Sequence, residues 1–174
     1  MKGIKNYLIL PMVLVLGLTQ FAPVSAGDKD GEKVFVAELS GASEVPKRDT
    51  DAKGTARIRL NDDGDRMEFV VEVEGIRNVK AAHMHLGKAG VNGPVIAWLY
   101  PSSPPERLIE GDFRGVLGRG DLRKNDLIGP MSGKSLDDLA REIRNGNVFV
   151  NVHTNQNPDG EIRGQLMFSK NTRF

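Results

Sequence analysis

The sequence predicts an all-β fold, a sandwich or barrel of about eight strands with one short helix, and three observations carry that prediction. From Val34 onward, apolar and polar residues alternate with period two in short runs. Gly, Asp, Asn and Pro break these runs every eight to twelve residues, the spacing of an antiparallel β protein. Only 135–146 carries helical spacing.

In chain order, strands are expected at 34–39, 54–60, 66–73, 80–86, 95–100, 108–116, 148–153 and 161–168. "NDDGD" at 61–65 joins the second and third as a hairpin, because Asp-Gly supplies the positive φ such turns require. The third strand sets Met67, Phe69, Val71 and Val73 against Glu68, Val70, Glu72 and Glu74, so one of its faces meets solvent. "GKAGVNGP" at 87–94 reads as a turn, since no helix start follows its glycines as a phosphate cradle requires. "PSSPP" at 101–105 is a loop, and Trp98 and Tyr100 alternate with Val95, Ala97 and Leu99 on the strand before it. The helix has Ser135 as N-cap, Asp138 three residues on, a stripe of Leu136, Leu139 and Ile143, and Gly146 as its stop. "NPDG" at 157–160 has the residue order of a tight turn between the last two strands.

The ends read differently. Lys2 and Lys5 precede the apolar run "YLILPMVLVLGL" and the small-residue stretch "APVSA", the pattern of a secretory signal peptide over 1–26. The run is short of the ~20 residues a membrane span needs. Gly27 would then begin the mature chain, with 27–33 a flexible leader, 34–168 one domain and 169–174 a tail. Loss of Lys2 and Lys5 takes 24 basic residues to 22 against 23 acidic ones, a net charge of −1, which does not suit a nucleic acid or another polyanion. The chain has no cysteine, so an exported domain of this kind relies on its core, without disulfides or a lipid anchor. Its expected location is periplasmic or extracellular.

The three histidines, His83, His85 and His153, all lie in two stretches, "AAHMHLGKAG" and "NVFVNVHTNQ". In a strand, residues two apart share a face, so His83 and His85 side with Ala81 while Ala82, Met84 and Leu86 face the core. His153 sides with Phe149 and Asn151, opposite Val148, Val150 and Val152. The alternation thus turns all three away from the valine core and sends Met84, despite its thioether, into it. A His-x-His pair with a third imidazole from another strand can present three nitrogens to one ion, and imidazole suits zinc and copper. Three unrelated surface histidines give the same pattern. Asn151, Glu161 and Arg163 fall where they can support such a site, Glu161 by orienting an imidazole; plain surface residues are the alternative. No G-x-S-x-G motif or other nucleophile set is present, and no catalytic residue is assigned.

"LSGASEVP" at 39–46, "AAHMHLGKAGVNGPV" at 81–95 and "VNVHTNQNPDGEIRGQL" at 150–166 resemble the CHRD domain, named after chordin and present in many exported bacterial proteins. The resemblance covers roughly 34–168. It implies an immunoglobulin-like Greek-key β-sandwich similar to that of copper,zinc superoxide dismutase. By that likeness His83 and His85 match a strand giving copper two ligands, and His153 matches another copper ligand. The chain lacks the bridging histidine, the zinc-loop histidines and the cysteines of that enzyme, so a binuclear centre is not expected. The function implied is an exported binding protein with a mononuclear copper or zinc site of three histidines. Two alternatives stand beside it: an extracellular interaction or matrix module that binds a protein partner without metal, and a copper-only, dismutase-like redox enzyme.

Overall fold

The computed structural model describes residues 33–170; the expected signal peptide, nearly all of the expected leader and the last four residues of the expected tail lie outside them. Eight strands, β1 Lys33–Ser40, β2 Lys53–Leu60, β3 Met67–Leu86, β4 Val95–Tyr100, β5 Ile109–Leu122, β6 Val148–Thr154, β7 Ile162–Gln165 and β8 Met167–Phe168, form one antiparallel sheet. One α-helix, α1 Leu136–Arg144, lies between β5 and β6. The fold is all-β, as the alternation requires.

The pairing runs β2-β1-β7-β6-β3-β4, and β2 also pairs β3, so the path returns on itself through β3. β3 makes this possible by its length. Its first half pairs β2 and β5, and its second half pairs β6 and β4. The two strands expected at 66–73 and 80–86 are therefore one. Gly75 (φ 64°) and Asn78 (φ 52°) take left-handed conformations at its bend, and Ile76 and Arg77 keep their pairing with Phe113 and Asp112 across it. The single strand expected at 161–168 is two short ones, β7 on β6 and β1, and β8 on β1.

The core gathers Phe35, Ile58, Leu60, Met67, Met84, Val150 and Val152, with Leu136, Leu139 and Ile143 of α1 packed over it. Ser135 Oγ accepts the Asp138 N–H, and Asp138 accepts the Ser135 N–H in return, fixing the start of α1. On the opposite face of β3's first half, Glu68 and Glu72 pair with Arg59 and Arg57 at the half-exposed surface. β6 differs: all seven of its residues are buried. The segment 87–94 folds over its second face, held by Arg163 and by Gln165, whose Nε2 donates to Gly87 O. That cover on the His85 side, with Trp98 against His83 and the turn carrying Pro158 against His153, turns a nominal outer face into a second buried layer that holds the histidines.

Candidate metal centre

His83, His85 and His153 are 5%, 8% and 7% exposed, so the plain-surface alternative does not hold for them. They converge because β3 and β6 pair in a register that sets Ala81 opposite His153 and His83 opposite Asn151. The imidazoles of β3 and β6 are then diagonal neighbours on one face. One nitrogen from each lies within 4.8 Å of the other two, so a single point sits within about 2.8 Å of all three, against metal–nitrogen bonds of about 2.0–2.1 Å. Less than about 1 Å of closure would complete the contact.

The hydrogen bonds settle which nitrogens are free. His85 Nδ1 lies 2.9 Å from Gly93 O, and His153 Nδ1 lies 3.0 Å from Pro158 O. A carbonyl only accepts, so both Nδ1 atoms carry the proton and both Nε2 atoms keep a lone pair. His83 Nδ1 stands 3.1 Å from His153 Nε2, and donates to it in the metal-free protein. That leaves His83 Nε2 and His85 Nε2 buried without a partner. A buried polar atom left unsatisfied costs about 1–3 kcal/mol, so orphaned nitrogens in one layer fit a site shaped for an ion. The hydrogen bonds leave Nε2 of His85 and of His153 as lone pairs for an ion, and His83 offers either ring nitrogen according to its tautomer.

Electrostatics agree. Burial pushes His83 down to about 3, helped by the neighbouring His153 and His85, and pushes His85 down to about 4. His153 is also lowered by burial, against the Pro158 hydrogen bond. All three imidazoles are thus neutral at pH 7, the protonation state a metal ligand needs. Protons therefore compete for these nitrogens only well below the ordinary imidazole range near ~6.5.

Asn151, Glu161 and Arg163 are each buried beside this layer. Glu161 does not reach an imidazole through any of its hydrogen bonds. It accepts from Thr50 Oγ1 at 2.9 Å, Thr154 Oγ1 at 2.6 Å and Asn157 Nδ2 at 3.2 Å, bracing the turn that offers Pro158 O to His153. Main-chain carbonyls orient the imidazoles instead. Arg163 donates to Asn92 Oδ1, Lys88 O and Val91 O, pinning the segment that carries Gly93. Asn151 donates to Asp159 O at 3.4 Å, and its Oδ1 is unpartnered.

Four further residues escaped the sequence reading as parts of the site. Phe149 stacks on His85 at 4.9 Å and 8°, and Arg163 Cζ sits 3.6 Å from the centroid of the same ring. Trp98 meets His83 edge-on, 4.2 Å between centroids, because β4 pairs Trp98 with His83. Glu44, inside the quoted "LSGASEVP", is buried near Arg163, and burial raises its carboxyl to about 7 against the pull of the guanidinium. Gly93 is required by space: a Cβ there would lie 1.8 Å from Leu86 O. Gly93→Ala is expected to cost at least about 2 kcal/mol in urea unfolding; a change under about 0.5 kcal/mol would mean that the segment 87–94 resets freely around it.

Comparison with protein families matches residues 35–166 to the CHRD domain. The chain belongs to the CHRD-domain family. The match runs from Phe35 within β1 through β7 and takes in both histidine-bearing strands and the 87–94 segment. No curated protein matches the chain. Within this CHRD domain, His83, His85 and His153 are the one group of metal-capable side chains identified among the described residues.

Proposed function

We propose that this CHRD domain is an exported metal-binding protein that holds one copper or zinc ion with His83, His85 and His153. One observation carries the reading: three buried, neutral imidazoles face one point, two of them with Nδ1 committed to a carbonyl and Nε2 unprotonated. Residues 1–26 support export through their signal-peptide pattern. The protein's own residues supply orientation and dryness: Gly93 O and Pro158 O fix two rings, and Phe149 and Trp98 pack against His85 and His83. A bound ion would add Lewis acidity or, for copper, a one-electron couple.

Elemental analysis of Gly27–Phe174, made without an affinity tag of histidines, is the test, run beside a His83→Ala, His85→Ala, His153→Ala variant. Near-stoichiometric copper or zinc in the first and none in the second is the expected result. Trp98 is the only tryptophan, and its ring is 4.2 Å from His83, so copper should quench its emission in the wild type and not in the variant. Failure of both proteins to take up either metal would leave the domain as an interaction module.

A further inference from the structure

We propose that, on the metal-binding reading above, this site selects the monovalent soft cation Cu(I) over Cu(II) and Zn(II). The donor set comes first. The group holds three imidazoles and no carboxylate or thiolate, so the bound centre would carry the full charge of its ion. All three rings are more than nine-tenths buried. The cost of placing charge in such a layer grows as its square, so a divalent ion incurs about four times the penalty of a monovalent one.

The neighbouring charge points the same way. Arg163, 2% exposed, lies over one ring, Phe149, that is stacked on His85. Its cation repels a divalent ion twice as strongly as a monovalent one. Glu44, the acid that acts on Arg163, is itself pushed towards neutrality by burial, so it offsets the guanidinium only in part. Asp159 and Glu106 pull on His153 in the opposite sense, but both are exposed to solvent, and Glu106 is held by Lys80 at 2.9 Å. Water screens them more than it screens Arg163. Coordination number adds a third reason. Zn(II) with three protein ligands needs a water or anion as a fourth, whereas the closed-shell Cu(I) ion is stable with three ligands and needs no fourth.

The test is competition for metal with the folded mature protein: Cu(I) against bicinchoninate without oxygen, and Cu(II) and Zn(II) against nitrilotriacetate. The expected dissociation constant for Cu(I) is at least about 100-fold below those for both divalent ions. Arg163→Gln should narrow that ratio by about 10-fold or more, since its guanidinium lies 3.6 Å from the Phe149 centroid, which is itself 4.9 Å from that of His85, and one charge at about that range acts through an effective dielectric near 20, while Arg163→Lys keeps the ratio. Divalent binding as tight as Cu(I) overturns the selectivity and leaves the three-histidine site standing. Absence of binding by all three ions overturns the metal-binding reading itself, and the selectivity with it. Should Arg163→Gln not fold, the wild-type ratio decides alone.

Discussion

Lowering the pH from 7 to 5 is expected to destabilise the metal-free domain by about 2–4 kcal/mol, while the triple histidine-to-alanine variant gains about 2 kcal/mol over the same range. The sign follows from where each group binds protons. His83 and His85 fall to about 3 and about 4 in the folded chain, and His153 falls as well, against an unfolded value near 6.5. Above 6.5 neither state binds the proton and nothing changes. Below it the unfolded chain takes up protons that the buried rings refuse, so stability drops by up to about 1.4 kcal/mol per histidine per pH unit until the folded values are reached. Glu44 opposes this. Raised to about 7 from 4.5, it holds a proton in the folded state across the same window, so acid stabilises through it. Three histidines outweigh one glutamate, and removing them reverses the slope. Urea unfolding of both proteins at pH 7 and pH 5 with chelator present measures it. A wild type with no loss would mean that the imidazoles charge freely, and the buried layer described above would not exist in solution.

Much of this layer was legible in the sequence, and the part that was not has a physical cause. Alternation alone put His83, His85 and His153 on the face opposite Val148, Val150 and Val152, and it sent Met84 to the core, where it is 0% exposed. The helix and its cap were equally plain. What alternation cannot give is whether a face is covered. The cover here comes from 87–94, read as a turn by its glycines, and it is held down by Arg163, more than 70 residues further on. The carbonyls of Gly93 and Pro158 that choose the tautomers carry no side-chain signature. Glycine lies at two of the differences. Gly75 looked like a break but bends a continuous strand. The strand expected at 108–116 runs on through Gly118 and Gly120 as part of β5, where a Cβ at Gly118 would fall 2.4 Å from Leu99 O.

Arg163→Met should cost about 2–4 kcal/mol, because three hydrogen bonds from a charged donor and one cation–ring contact are lost together. Methionine replaces much of the buried volume, so the loss is not one of packing. It removes the hydrogen bonds to Lys88 O, Val91 O and Asn92 Oδ1, and although Lys88 O keeps the Val91 N–H and water reaches this exposed segment, the segment loses its tie to β7. It also removes the cation lying over Phe149. Glu44 limits the damage. Deprived of the guanidinium that pulls its carboxyl down, it rises further above 7 and stays neutral at working pH, so no bare carboxylate is stranded. Arg163→Lys keeps the charge but cannot fork to three acceptors, and should fall between wild type and Arg163→Met in urea unfolding. The imidazole nitrogens give a second readout. With 87–94 unpinned, His85 Nδ1 loses its fixed acceptor at Gly93 O, so its nitrogen shifts should move from a single Nδ1–H tautomer towards a mixture, while His153, held by Pro158 O, keeps its own. A loss below about 1 kcal/mol with His85 unchanged would show that Gln165 on Gly87 O and Asn92 on Val45 O hold the cover without Arg163.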